Sequence, residues 1–349
     1  MILALLLAAN LPWSAADEAA LGPVRAAFGF SEGMRALDLG QSPAEWRDSA
    51  YCGSCHPEAY EAWAGSLHAS AGSDPLFLAG FAEDPDLRCA RCHAPLAEDQ
   101  VPFRRALRSK ERLGPALREA PVLERTTGIG CAVCHVRRGA VLTARPITTA
   151  EHPTRYEPLL KSSEFCGSCH QFRFERGHGQ GASLSEHVVQ DTWREHRRSQ
   201  STERCQDCHR QHAYPGAHDP ELLRRSLSVR TAALGPERQQ LELRSVDVGH
   251  HFPTGDLFRH LRVEVERDGR YELVATIGRS FELVSGPGEP TKRLSEDNTL
   301  VPGEPRLIAV AASAGQRWRI VYRYTSAANP PSQVQPDQLI QEGLFELSQ

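Results

Sequence analysis

Lysine is almost missing from this chain: of 40 Lys and Arg residues, only Lys110, Lys161 and Lys292 are lysine. Arginine suits bidentate contact with carboxylates, although a G+C-rich coding sequence would produce the same bias. A charge excess is missing too. Forty-four acidic residues against 40 basic ones leave a net charge of −4, which points to neither nucleic acid nor an anionic membrane surface. Methionine occurs only at Met1 and Met34, and no cysteine follows Cys208. Past the first residues there is no run of about 18 apolar residues, so no spanning helix is expected. The start, MILALLLAANLPWSAADEAA, reads as a secretory signal over residues 1–16, with an apolar stretch Ile2 to Ala9 and small residues before Asp17. That stretch is short and no Lys or Arg precedes it. The expectation is a soluble, exported, periplasmic protein.

What is present is cysteine in one pattern. Cys52/Cys55/His56, Cys89/Cys92/His93, Cys131/Cys134/His135, Cys166/Cys169/His170 and Cys205/Cys208/His209 are five C-x-x-C-H runs that use all ten cysteines. C-x-x-C-H is the attachment motif of c-type haem: two thioether bonds hold the porphyrin edge and the histidine becomes an axial ligand. Histidine is 15 of 349 residues, so five unselected histidines in those positions would arise about once in ten million chains. Four-cysteine zinc sites need C-x-x-C pairs in twos, and five pairs leave one over. A disulfide framework gives no reason for the histidines. The cofactors expected are five covalently bound haem c groups. Haem attachment of this kind requires export in bacteria, which agrees with the leader.

Successive first cysteines (52, 89, 131, 166, 205) lie 37, 42, 35 and 39 residues apart. Segments below about 40 residues rarely build a core of their own. The spacing therefore predicts a mainly α or irregular multihaem domain over residues 17–232, with the haems as its core. Beyond about residue 232 the pattern changes to alternating strands: QLELRSVDV (240–248), LRVEVE (261–266), YELVATI (271–277), RLIAVAA (306–312) and RWRIVYRY (317–324). Turns RDGR and VPGE separate them, and 326–338 reads as a long loop. This predicts an all-β antiparallel sandwich over 233–349.

The run YCGSCHPEAYEAWAGSLHAS places His68 twelve residues after His56. Along a helix that is about 18 Å, whereas two ligands of one iron sit on the order of 4 Å apart. His68 thus cannot return to the iron under His56 and is a candidate for another. Tyr60, Trp63, Ala64 and Leu67 form the stripe expected to face inward.

These residues resemble a known family. C-G-S-C-H followed by Tyr60, Trp63, Ser66, His68 and Ala69 is similar to the multihaem c-type cytochromes of the nitrification tetrahaem cytochrome group, related to hydroxylamine oxidoreductase and octahaem tetrathionate reductase. CARCHAPLA (89–97), GIGCAVCH (128–135), SSEFCGSCHQF (162–172), QDTWRE with CQDCH (190–209), HAYPGAHD (212–219) and GHHFPTGD (249–256) continue the resemblance, which covers roughly residues 51–256. It implies distal ligation by histidines remote in sequence: His68, His152, His218 and His250, with His212 as fifth choice and His187 and His251 following. His196, Ser201 and Arg210 depart from the family pattern and leave one sixth position open. No lysine follows a C-x-x-C, which excludes a site of the kind used by ammonia-forming nitrite reductase.

The function expected is electron transfer along closely packed, mostly bis-histidine haems. The partners would be redox proteins, a quinol-linked donor or other cytochromes, including a membrane redox complex; no nucleic acid is expected. The alternative is an oxidoreductase with one five-coordinate haem acting on a small nitrogen or sulfur compound. Mass spectrometry of the mature exported protein is expected to show five covalently added haems; free thiols or bound zinc would exclude this reading.

Overall fold

The computed structural model describes residues 12–30, 36–83, 85–109, 128–176, 183–210, 212–256, 258–284, 292–324 and 337–345. The apolar leader stretch, Met34, His178 and nearly all of the 326–338 loop lie outside the described residues. Among the described residues no helix is long and apolar enough to cross a membrane. Chain contacts define two compact units, one of Ala19–Cys169 and Glu203–His218, the other of Met1–Glu18, His170–Thr202 and Asp219–Gln349.

The first of these carries the C-x-x-C-H runs, with the chain passing to the other unit between Cys169 and His170. The runs lie on or beside short helices with identifiable caps. Asp48 accepts from Ala50 N ahead of Ser49–Gly53, Asp86 from Arg88 N ahead of Leu87–His93, and Ser162 from Phe165 N ahead of Ser163–Gly167. Cys131–His135 and Cys205–Cys208 complete the set. The segment after His56 is two helices rather than one. Pro57–Ala64 stops at Gly65, and Ser66 caps Leu67–Ser70 by accepting from Ala69 N. Trp63 is buried and its Nε1 donates to Ile129 O at 2.8 Å, but Ala64 and Leu67 are exposed, so the expected inward stripe is only partly formed.

A mainly α or irregular domain with haems for a core is not what the chain builds. Among the described residues helix and strand are nearly equal, about 32% and 33%, and sheet occurs among the motifs themselves. Strands β1 (Val136–Arg137) and β2 (Ala140–Thr143) form a hairpin around Arg138 and Gly139, whose φ values of 51° and 74° suit its tight turn. β3 (Thr154–Tyr156) runs parallel to β2. The unit also has side-chain cores of its own. Phe77, Phe81, Ala90, Ala94 and Phe103 form one; Leu37, Leu39, Leu96, Ala132, Val133 and Val136 a second; Val24, Phe28, Leu142 and Leu160 a third. The spacing argument failed because it treated each interval between motifs as alone. The second core pools residues from ahead of the first motif (Leu37, Leu39), from between the second and third (Leu96) and from the third motif onward (Ala132, Val133, Val136), so no single 40-residue segment has to bury itself.

In the other unit, β4 (Phe172–Arg176) and β5 (Ser183–Gln190) pair antiparallel. The expected all-β part follows: β6 (Leu227–Gly235), β7 (Arg238–Ser245), β8 (Arg259–Arg267), β9 (Arg270–Leu283), β10 (Lys292–Asp297), β11 (Arg306–Ala311), β12 (Arg317–Tyr324) and β13 (Gln338–Leu344). They make two antiparallel sheets, ordered β10-β9-β8-β12-β13 and β11-β7-β6. All five strands read from the sequence are present; β6, β10 and β13 are additional. Asp268 and Gly269 (φ 50° and 74°) make the β8–β9 turn that RDGR announces. Leu241 and Leu243 of β7, Leu261, Val263 and Val265 of β8, and Ile320 of β12 are fully buried. The HHFPTG loop lies between β7 and β8, where Phe252 bridges to Leu300.

Ile320→Ala is expected to cost about 2–5 kcal/mol by cavity formation, whereas Leu307→Ala at the 55% exposed Leu307 is expected to stay within about 0.5 kcal/mol. Denaturant midpoints followed by far-ultraviolet circular dichroism give both values.

Candidate functional site

The histidines of the motifs are oriented by what their Nδ1 atoms meet. His93 Nδ1–H donates to Ala71 O at 2.9 Å, His135 Nδ1–H to Leu142 O at 2.9 Å and His209 Nδ1–H to Pro215 O at 2.6 Å. A carbonyl can only accept, so each ring is fixed as the tautomer with its proton on Nδ1 and its lone pair on Nε2, the arrangement typical of a metal-ligating imidazole. Phe77 stacks on His93 with ring centres 4.0 Å apart, which restricts the ring further. His56 stands exposed at the start of Pro57–Ala64. His170, in the other unit, has the Gln190 side-chain amide 3.0 Å from Nδ1.

No disulfide joins the ten cysteines, and they meet across motifs. The thiols of Cys52 and Cys131 hydrogen-bond to each other, as do Cys166 with Cys205 and Cys92 with Cys169. The partner's hydrogen bond, with burial behind it, pushes the Cys52, Cys166 and Cys169 thiols up. Burial pushes Cys134 up to about 11. Cys55, Cys89 and Cys208 are exposed. The first motif therefore touches the third, the fourth touches the fifth, and the second touches the fourth.

Of the distal candidates, His68, His152, His212 and His218 belong to the same unit as the cysteines. His68 lies within electrostatic reach of His209 and His218, and burial, with those two rings, lowers its pKa to about 4. His212 and His135 have ring centres 6.2 Å apart. Two imidazoles on opposite sides of one metal at about 2 Å per bond have centres roughly 6 Å apart. Burial lowers the pKa of both rings, so both are neutral, as ligation requires. His212 and Tyr214 hold φ values of 61° and 44°, backbone that side-chain-bearing residues seldom adopt and that collects at functional sites. Tyr214 packs against His68, ring centres 4.5 Å apart, and burial raises its pKa. His152 has a buried Nδ1 with no hydrogen-bond partner among the described residues and sits against the edge of Trp46.

His250 is in the other unit with His170. Its Nδ1–H donates to His251 O at 2.8 Å, the same orientation as in the motif histidines. The loop that carries it is held by a buried polar network. Glu195 accepts from Thr254 Oγ1 at 2.6 Å and His251 N at 3.2 Å, and pairs with Arg279. Arg279 Nε donates to Asp297 at 3.0 Å. Burial would lower the Arg279 pKa and raise that of Asp297, but their mutual attraction reverses both. Thr192 Oγ1 bonds Thr254 Oγ1 at 2.9 Å and accepts from the Gln190 amide, so a chain of side chains runs from His170 to the HHFPTG loop. His187 lies within β5, its N bonded to Ser185 Oγ, and His251 Nδ1 faces Thr299 Oγ1.

The residues present fit haem: motif imidazoles offer Nε2, a second ring stands at trans-ligand spacing from His135, and paired cysteines precede each motif histidine. Among the described residues no three His, Cys, Asp or Glu side chains converge as around a bare ion. A porphyrin supplies four equatorial nitrogens, so a haem iron asks for two imidazoles at most. Sequence reasoning missed Tyr214, Gln190, Arg137 and the Glu195–Arg279–Asp297 group. Arg279 meets Glu195 across 84 residues and Arg137 meets Phe28 across 109, beyond any local pattern.

Compared with protein-family models, with curated proteins and with solved structures, the chain matches none.

Arg279→Met is expected to destabilise the protein by about 3–5 kcal/mol, because it leaves Glu195 and Asp297 buried without a countercharge. Adding Glu195→Gln and Asp297→Asn should recover much of that loss in a denaturant titration.

Proposed function

We propose that the chain is an exported periplasmic c-type cytochrome that carries five covalent haems and relays electrons between redox proteins. The observation that carries this reading is the orientation of His93, His135 and His209. Each follows a C-x-x-C pair and commits Nδ1 to a backbone carbonyl, which leaves Nε2 for iron. Bound haem supplies a one-electron ferric/ferrous couple. The residues do the rest. Cys52, Cys55, Cys89, Cys92, Cys131, Cys134, Cys166, Cys169, Cys205 and Cys208 anchor the macrocycles at two points each, and His56, His93, His135, His170 and His209 hold the proximal positions. His68, His152, His212, His218 and His250 would be the distal set, His212 and His135, with ring centres 6.2 Å apart, being the pair that would hold one haem.

A second histidine on each iron would exclude water and small substrates, which would favour electron transfer over turnover. Histidine on both sides keeps potentials below those of Met/His sites. The sulfur contacts support a continuous relay. They join the first motif to the third and link the second, fourth and fifth, while His68, downstream of the first motif, lies within electrostatic reach of His209. The electron donor in this reading is a quinol-linked protein or another cytochrome, including a membrane redox complex.

Electron paramagnetic resonance of the oxidised protein is expected to show low-spin ferric signals alone, unmoved by nitrite, hydroxylamine or nitric oxide. His212→Ala should convert one of them to high spin. A high-spin signal in the unaltered protein that shifts with nitrite would replace the carrier with a haem oxidoreductase.

A further inference from the structure

Arg137 follows the motif helix Cys131–His135 and is 4% exposed. Its guanidinium donates through Nε to Phe28 O at 2.8 Å, through Nη1 to Val136 O at 2.6 Å and Ala132 O at 3.2 Å, and through Nη2 to Val133 O at 2.7 Å. All four acceptors are backbone carbonyls. The rings of Phe28 and Phe30 lie 5.6 and 5.5 Å from its central carbon. Among the described residues no carboxylate pairs with it. The charged or titratable groups acting on it are the Cys134 thiol and another cation, Arg155. An arginine guanidinium stays a cation at neutral pH.

A helix of five residues could be capped without a buried charge. A guanidinium sealed among apolar side chains with no countercharge is costly; carbonyl dipoles and two aromatic faces offset that cost only in part. Its place is specific: it grips the carbonyl of the peptide that leads into Cys134, two residues after the histidine held by Leu142 O. Water does not screen a charge so enclosed.

We infer that Arg137 is an electrostatic tuning residue that raises the reduction potential of the haem attached through Cys131 and Cys134. The inference rests on the haem reading above. Reduction adds one electron, delivered by the donor protein through the other centres, and lowers the net charge of the site by one. A fixed neighbouring cation favours that state, and net charge near the metal is one of the protein's levers on potential. Arg137 exchanges no proton and touches no reacting atom.

The test is an optical redox titration of the full holoprotein, with haem content counted first by mass spectrometry. Arg137→Gln should shift one of the five midpoint potentials downward and leave four unmoved, and the shift should persist in high salt. Arg137→Lys, which keeps the charge but loses the fork of bonds, should leave all five in place. Phe30→Glu keeps the carbonyl bonds and sets a carboxylate beside the guanidinium, so it should reproduce the downward shift even if Arg137→Gln does not fold. Equal shifts in Arg137→Gln and Arg137→Lys, a shift of all five, or none in Phe30→Glu would overturn the tuning role while the haem reading stands. A protein without haem would overturn both.

Discussion

An imidazole offers two nitrogens, and a backbone carbonyl can occupy one of them only by accepting its proton. Four rings in this chain are bound in that way, at His93, His135, His209 and His250. Everything proposed about iron depends on it, because the bond decides which nitrogen faces outward. The carbonyls come from Ala71, Leu142, Pro215 and His251, so the orientation belongs to the loops around the motifs rather than to the motifs. The hairpin of β1 and β2, with its Arg138-Gly139 turn, exists in part to bring Leu142 O back beneath His135.

The same economy explains how the cysteine-bearing unit buries itself. Apolar residues sparse in any one interval between motifs are gathered from several. Leu37, Leu39 and Leu96 meet the Ala132–Val133 face of the third motif helix, while Phe77, Phe81 and Phe103 surround Ala90 of the second. Polypeptide supplies these interiors, and the proposed cofactors sit against them.

Charge is handled in two opposite ways. Around the HHFPTG loop, Arg279 is buried between Glu195 and Asp297 and the cation is matched. At Arg137 the cation meets carbonyls and rings instead. A matched group locks a loop and contributes little field beyond itself, whereas an unmatched one projects its charge onto whatever stands beside it. That contrast is the basis for assigning the first a supporting role and the second a tuning role.

Read by itself, the chain of letters settled the ten cysteines, the five histidines bound to them by spacing, and the β character of the second half, where alternation in β7, β8, β9, β11 and β12 is strong. These are local signals with a period or a fixed interval. It was silent on β10, whose KRLSED is polar on both faces and pairs through its backbone at a sheet edge. It was silent too on β13, where Gly343 is accommodated against the ring of Trp318, a Cβ there meeting that ring at 2.7 Å. It misjudged the helix after His56, since Gly65 and Ser66 break what periodicity joined, and it took short intervals between motifs for the lack of a core. Which thiols meet, which carbonyl holds which histidine, and that the His212 ring comes to 6.2 Å from that of His135 were decided only by folding. Each joins residues whose partners are set by where distant loops come to rest, and no short-range pattern encodes that.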